Sequence, residues 1–294
     1  MIEPLSLAEA NAKLSVPING VLTPFKKIPE NLQRYCRPLM FHREDAVFDL
    51  AYSGSCFLFR HGKHHLQLST KHQLRMDGGD LKPEDACLII PVDEGHVGLS
   101  PNVASRLLVH NTDDLLPQDI LLLEYERHRG RHDLRPLFVG LDLDQTRTVS
   151  EVSPDSIRLA FSIGYPFARQ AYEPVFDDDW KATSLKVISR PQALIFDEKS
   201  FRPSYEDSRE AISAHPRYGQ DIGDPNGWSG APVFFVWGDD NKDHHLGFAG
   251  MITHGSSHGG FMLYRAEDIR NFVNGAINTP YPAPVATPDS HGMV

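Results

Sequence analysis

The chain has little cysteine and no long apolar run. Cys36, Cys56 and Cys87 are its only cysteines. They are odd in number, widely spaced and form no CxxC pair, so a disulfide framework is not expected and a reducing, cytoplasmic setting is the simpler reading. No apolar stretch approaches the ~20 residues needed to span a bilayer. Met1-Ile2-Glu3-Pro4 lacks the basic start and following apolar segment of a secretory signal. Positive charge is also in deficit: 29 Lys plus Arg stand against 39 Asp plus Glu, for a formal net charge of −10. Such a chain does not concentrate polyanions, so neither nucleic acid nor an anionic membrane is an expected partner. HExxH and Cys/His pairs at zinc spacing are missing as well. The 15 histidines, with His64-His65, His244-His245, His254 and His258 among them, therefore read as loop residues, and no metal or other cofactor is expected. Asp239-Asp240-Asn241-Lys242-Asp243 lacks the glycine and terminal glutamate of a calcium loop and reads as a hairpin.

What is present is enough apolar sequence for a sizeable core: 40% hydrophobic and 23% charged residues over 294 positions. Residues 1–45 carry Pro17, Pro24, Pro29 and Pro38 and read as an arm, with a short helix at Ser6 to Leu14. From Ala46 onward short strands dominate. Phe48 to Phe59 and His65 to Ser69 flank a hairpin turn at Gly62-Lys63. Ala86 to Val92, Ser105 to His110, Ile120 to Tyr125 and Pro136 to Leu141 follow, and Glu126 to Asp133 reads as a charged connector. The second half repeats the style at Arg158 to Ile163, Lys186 to Ile188, Leu194 to Phe196, Pro232 to Trp237, Leu246 to Thr253 and Gly260 to Tyr264. Ile269, Phe272, Val273 and Ile277 recur at helical spacing and predict a closing amphipathic helix. Residues 279–294 hold four prolines and no core pattern, and read as a disordered tail. The expected class is all-β, a sandwich or a pair of barrels.

Gly227-Trp228-Ser229-Gly230-Ala231-Pro232 is the segment with chemistry in it. A serine hydroxyl needs a base in hydrogen-bond reach, a group to orient that base, and donors where an oxyanion forms. Backbone N–H groups in a glycine-rich turn supply such donors. By itself Gly-x-Ser-Gly is most often an ordinary turn. His72 stands out as a base because it follows the strand pair Cys56 to Phe59 and Leu66 to Ser69. Asp119, at the head of the apolar run Ile120-Leu121-Leu122-Leu123, is placed to be a fixed acid. Asp113 and Asp114 sit in a polar turn and fit that role less well.

Taken in order, His, Asp and Ser resemble the chymotrypsin-like serine proteases. Ser69-Thr70-Lys71-His72 is similar to that family's Thr-Ala-x-His, Asp119-Ile-Leu-Leu-Leu to its Asp-Ile-Ala-Leu-Leu, and Gly227-Trp-Ser229-Gly-Ala-Pro to its Gly-x-Ser-Gly-Gly-Pro. Ala249 to Gly255 resembles the strand lying beside the substrate backbone. Ser162-Ile163-Gly164-Tyr165-Pro166 resembles a segment common in bacterial members. The resemblance covers residues 46–277 and implies two six-stranded antiparallel β-barrels with a C-terminal helix. The first, 46–130, would carry His72 and Asp119; the second, 131–278, would carry Ser229. It further implies a serine endopeptidase with a His72, Asp119, Ser229 triad and an oxyanion hole from the N–H groups of Gly227 and Ser229. Gly223, Asp224, Thr253, His254 and Gly255 would line the substrate site, and a carboxylate of Asp221 or Asp224 turned inward would favour Lys or Arg beside the cut. The partners implied are a protein or peptide substrate and a regulatory protein.

Three positions depart from the family pattern. Trp228 stands where zymogen-activated members carry the aspartate that receives a new N-terminus, so activation by N-terminal cleavage is not expected. Ala231 replaces a glycine. Gln73 follows His72 where secreted members have a half-cystine, leaving Cys56 without its usual partner. These features resemble the bacterial, intracellular branch, which includes the high-temperature-requirement proteases, but without a PDZ domain. Control would then rest on a misformed oxyanion turn, on occlusion by the 45-residue arm, or on narrow specificity. The rival reading is a catalytically silent fold used as a binding or scaffolding module.

Overall fold

The computed structural model describes residues 11–42, 50–76, 79–80, 82–92, 95–99, 103–105, 119–125, 138–169, 174–176, 182–185, 187–197, 212–217, 222–256 and 260–278. The expected connector at Glu126 to Asp133, the tail at 279–294, Asp113, Asp114, Asp221 and His258 lie outside these residues.

The chain is mostly β. Its N-terminal half comprises β1 (Ser15–Ile18), β2 (Val21–Pro24), β3 (Cys36–His42), β4 (Leu50–His61), β5 (His64–Thr70), β6 (Arg75–Met76), β7 (Gly79–Asp80), β8 (Ala86–Val92), β9 (Gly95–Leu99), β10 (Val103–Ser105), β11 (Ile120–Glu124) and β12 (Leu141–Asp142). The C-terminal half comprises β13 (Ile157–Gly164), β14 (Pro174–Phe176), β15 (Ala182–Leu185), β16 (Arg190–Phe196), β17 (Ile212–Pro216), β18 (Pro232–Gly238), β19 (His244–Gly255), β20 (Phe261–Arg265) and a closing helix, Ala266–Asn278.

The second half closes on itself as a six-stranded antiparallel barrel in the order β13-β16-β17-β20-β19-β18. Along β18, Pro232 to Val236 are all buried. A strand covered on both faces reads as a continuous apolar run rather than as alternation. In the first half the described residues do not by themselves close a second barrel. They form a main sheet ordered β10-β11-β5-β4-β3-β8-β9, with β12 added in parallel to β4, and two separate two-stranded pairs, β1-β2 and β6-β7.

Part of the expected arm belongs to this sheet. β3 pairs with β4 from Cys36↔Phe57 to His42↔Leu50. Val16, Ile28, Leu32 and Tyr35 are buried in the same cluster as Phe57, Leu68, Phe161, Phe234 and Met251. That cluster is shared by both halves, and Phe57 meets Phe234 and Phe248 with ring centroids 5.7 and 5.2 Å apart. Tyr165, just past β13, ties the halves together through polar groups. Its N–H donates to Ser55 Oγ at 2.8 Å, its hydroxyl donates to the carbonyl of Cys36 at 3.1 Å, and its carbonyl accepts from Tyr52. A buried carbonyl or amide left unpaired costs about 1–3 kcal/mol, so these bonds fix the approach of the halves.

The closing helix buries Ala266, Ile269 and Val273 on one face, as its spacing predicts. None of the described helices is long and apolar enough to cross a membrane.

Candidate active site

Register places the acid beside the base. β11 runs antiparallel to β5 with Ile120 opposite Thr70, so Asp119 falls one residue beyond the end of β5, where the chain turns through His72. That turn is a short 3-10 segment, Lys71–Leu74, closed by a reciprocal cap between Thr70 and Gln73. Asp119 holds His72 twice. Oδ2 lies 2.7 Å from Nδ1, and Oδ1 accepts the backbone N–H of His72 at 2.9 Å. Both side chains are partly shielded, at 38% and 23% exposure for His72 and Asp119. Carboxylate acceptance at Nδ1 selects the tautomer that carries its proton there and leaves Nε2 as the basic nitrogen. The buried Tyr264 of β20 also meets Asp119. Burial, with the Asp119 charge adding to it, pushes the Tyr264 hydroxyl well above its ordinary value, and the N–H of Asp119 bonds to it. Lys71 has its ammonium pKa lowered by burial, an effect that Asp119 opposes.

The serine arrives from the other half. Beyond the β18–β19 ladder, Gly230 N–H donates to the carbonyl of Ile252 and Ile252 N–H to that of Ala231, both at 2.9 Å. These bonds zip the Gly227 to Gly230 turn onto β19 and set Ser229 beside Thr253. Ser229 Oγ donates to the Thr253 carbonyl at 3.0 Å. It makes no hydrogen bond to His72. The His72 ring faces the end of the same strand, where the His254 ring lies 5.5 Å away at 33°. Thr70 Oγ1 lies 3.4 Å from His72 Nε2. That hydroxyl already donates to Gln73 Oε1 at 2.9 Å, so it is available to Nε2 only as an acceptor, that is, to the protonated ring.

The turn before the serine has a defined orientation. Asn226 presents its carbonyl to the N–H of Phe167 at 2.9 Å. Gly227 has φ +89°, and a Cβ there would stand 2.5 Å from the Tyr165 carbonyl, so only glycine fits. Its own carbonyl accepts from Ser55 Oγ at 2.6 Å. Peptides are planar and the Asn226–Gly227 bond is trans, so the N–H of Gly227 points away from Phe167. Among the described residues neither this N–H nor that of Ser229 has an acceptor. Trp228, between them, is fully buried against Gly164 and Phe261, and its indole Nε1 has no partner among the described residues.

The expected substrate-site residues are near one another but narrowly spaced. Gly223 is exposed, and a Cβ there would meet nothing. Asp224 is exposed, and its Oδ1 accepts the N–H of Asn226 at 3.0 Å. Across from them, a Cβ on Gly255 would lie 2.4 Å from Pro225 Cβ and 3.3 Å from the Phe261 ring, so the loop before the serine touches the end of β19. Thr253 is buried, its hydroxyl donating to the carbonyl of Met262 at 3.2 Å, and His254 is exposed.

Reading the sequence missed the residues that join these segments: Ser55, Gln73, Thr70 and Tyr264. Of these, Gln73 carried a signal as the residue after His72, and Thr70 as part of the segment Ser69 to His72. Cys56 does not face it. Cys56 lies among Leu39, Leu58, Leu121 and Leu123, with a thiol pushed up to about 12 by burial. All three cysteines are free and buried. In the first hairpin His61 pairs with Asp144 at 3.0 Å in an exposed position, and His64 pairs with the buried Glu124 at 2.5 Å.

No protein-family model matches the chain, and no curated protein sequence is similar to it.

Proposed function

We propose that this chain is a serine endopeptidase of the chymotrypsin-like type, acting through an acyl-enzyme on Ser229. The observation that carries the reading is the double hold of Asp119 on His72, by ring and by backbone, next to the strand on which the Ser229 turn is zipped. An ordinary surface ion pair has no need of a fixed tautomer.

In this mechanism Ser229 Oγ swings from the Thr253 carbonyl toward His72. Nε2 takes the hydroxyl proton as Oγ bonds to the scissile carbonyl carbon, and the carbonyl electron pair moves onto oxygen. The N–H groups of Gly227 and Ser229 receive that oxyanion. Asp119 stabilises the imidazolium. His72 then returns the proton to the leaving amine as the C–N bond breaks, and water repeats the sequence to free Ser229. Gly223, Asp224, Thr253, His254 and Gly255 would flank the peptide substrate. With Asp224 capping Asn226 and Pro225 against Gly255, nothing among the described residues favours a basic side chain beside the cut. The reading also takes the first sheet as the counterpart of the other barrel of a two-barrel fold. The free buried thiols fit a cytoplasmic setting, and a regulatory protein partner remains part of the proposal.

A fluorophosphonate probe tests it. Labelling of the wild type, abolished by Ser229→Ala and by His72→Ala, is the expected result. One observation favours a second reading, a catalytically silent binding module: Ser229 bonds Thr253 rather than His72. Absence of labelling in the purified chain and with cell lysate added would select that reading.

A further inference from the structure

One buried side chain touches both halves of the site. Gln73 is 4% exposed. Its Nε2 donates to the carbonyl of Ser229 at 2.9 Å, of Ser53 at 3.1 Å and of Ser55 at 3.3 Å. Its Oε1 accepts from the Thr70 N–H at 3.1 Å, from the Thr70 hydroxyl at 2.9 Å, and from the Ser69 hydroxyl. Both ends of the amide are therefore saturated, which is what a buried amide requires. The slot is cut to this side chain. A Cβ on Gly54 would stand 2.3 Å from Nε2, and one on Gly230 would stand 3.0 Å from Oε1 and 2.0 Å from the Ser55 carbonyl. One of these glycines lies on β4; the other follows the serine.

The placement decides what the amide does. His72 and Ser229 come from different halves of the chain and make no hydrogen bond to each other. Gln73 is the neighbour of His72 in sequence and a hydrogen-bond partner of Ser229 in space. Its backbone carbonyl is also held, by Ser53 Oγ. The Ser229 carbonyl is fixed from two sides, by Gln73 and by the N–H of Ser55 at 3.2 Å. Rotation of the Ser229 hydroxyl from Thr253 to His72 needs only a side-chain torsion if the backbone is held at the right distance.

We propose that Gln73 is a positioning residue that sets the distance between the base and the nucleophile, acting through the main-chain carbonyl of Ser229 and touching no reacting atom. The proposal rests on the serine hydrolase reading above. Misplacing a reacting group by about 1 Å can cost ~100-fold in rate with binding little changed.

The test separates the rate of reaction from the amount of folded protein. The full-length chain, Gln73→Met and Gln73→Glu are reacted with a fluorophosphonate over a range of concentrations, and melting temperatures are recorded in parallel. Gln73→Met keeps length and shape and removes every donor and acceptor. The expected result is a maximal labelling rate about 10- to 100-fold lower, a half-saturating probe concentration within about twofold, and a full labelled end point from the folded fraction. A merely structural role would instead lower the end point and leave the rate of the folded fraction unchanged, which overturns the proposal. If Gln73→Met does not fold, Gln73→Glu serves. A neutral carboxyl keeps one donor to the Ser229 carbonyl, so its rate should lie between those of the wild type and a donor-free site. A rate equal to the wild type in both variants, or in the one that folds, sinks the proposal alone. No labelling of the wild type sinks the hydrolase reading and this proposal with it.

Discussion

Phe167 donates its N–H to the carbonyl of Asn226 at 2.9 Å, and the trans peptide that follows turns the N–H of Gly227 to the other side. Ser55 holds the Gly227 carbonyl from the first sheet. The turn that would receive an oxyanion is therefore fixed by groups outside itself. The first hairpin of residues 11–42 packs at the far end of β19, where the Lys13 carbonyl meets His244 and Phe25 stacks edge-on against the same ring. The Ser229 hydroxyl donates to the Thr253 carbonyl, and on the proposed function that bond is exchanged for one to His72.

Asp119→Asn should leave the fold intact and change the chemistry. An amide can hold the ring in the wrong tautomer, and loss of such an acid typically costs about 10,000-fold in turnover. On the proposed function the fluorophosphonate labelling rate should fall by that order, while the melting temperature changes by only a few degrees. Equal labelling rates would mean that Asp119 is a structural partner of His72 only.

Gly230→Ala and Gly223→Ala form a matched pair. Both glycines have positive φ, +84° and +70°. A Cβ at residue 230 would lie 2.0 Å from the Ser55 carbonyl, whereas at residue 223 it meets nothing within 4 Å. The first substitution adds overpacking to backbone strain and should cost about 2–5 kcal/mol; the second should cost about 1–2 kcal/mol. Urea unfolding of the two variants measures the difference.

Trp228 offers a test of shape against polarity. Its ring fills the core of the barrel, but its indole N–H is unsatisfied among the described residues. Trp228→Ala should cost about 3–5 kcal/mol through the cavity it leaves. Trp228→Phe keeps most of the ring and removes the orphan donor, so its cost should be well under half of that. Chemical denaturation of both variants reads the ratio.

Alkaline pH should destabilise the chain through its thiols. Burial raises the pKa of Cys36, Cys56 and Cys87, and that of Cys56 reaches about 12 against an ordinary value of 9.0. The folded pKa lies above the unfolded one, so this stabilisation is complete below pH ~9 and is lost as pH rises toward 12. Melting temperature should fall steadily over that window, and Cys56→Ala should flatten the slope while lowering stability at pH 7. In native buffer the three thiols should resist a thiol reagent until denaturant is added.

Much of the fold was legible from apolar pattern. β5, β8, β11, β13, β18 and β20 and the closing helix fall within a few residues of their expected positions, because each is a compact apolar run with turn residues at its ends. β3 and β17 were missed. β3 carries Pro38 and two arginine or histidine positions, and β17 reads Ile-Ser-Ala-His-Pro; neither looks apolar alone. Lys186 to Ile188 was expected as a strand, but Val187 and Ile188 are not in one, and β15 ends just before them.

The candidate site divides in the same way. His72, Asp119 and Ser229 could be picked out because each sits at the end of an apolar strand, and strand register brings such ends together. The sequence alone also determined the absence of a disulfide framework, the net negative charge and the turn chemistry of Gly227 and Gly230. Tertiary structure alone decided that the first half forms an open run of strands among the described residues, and that β3 belongs to it. It also decided that Ser229 donates to Thr253, and that the amide of Gln73 joins Ser229 to the turn carrying His72. These depend on carbonyls and amides from distant residues, and main-chain polar groups are the same in every sequence until folding chooses their partners.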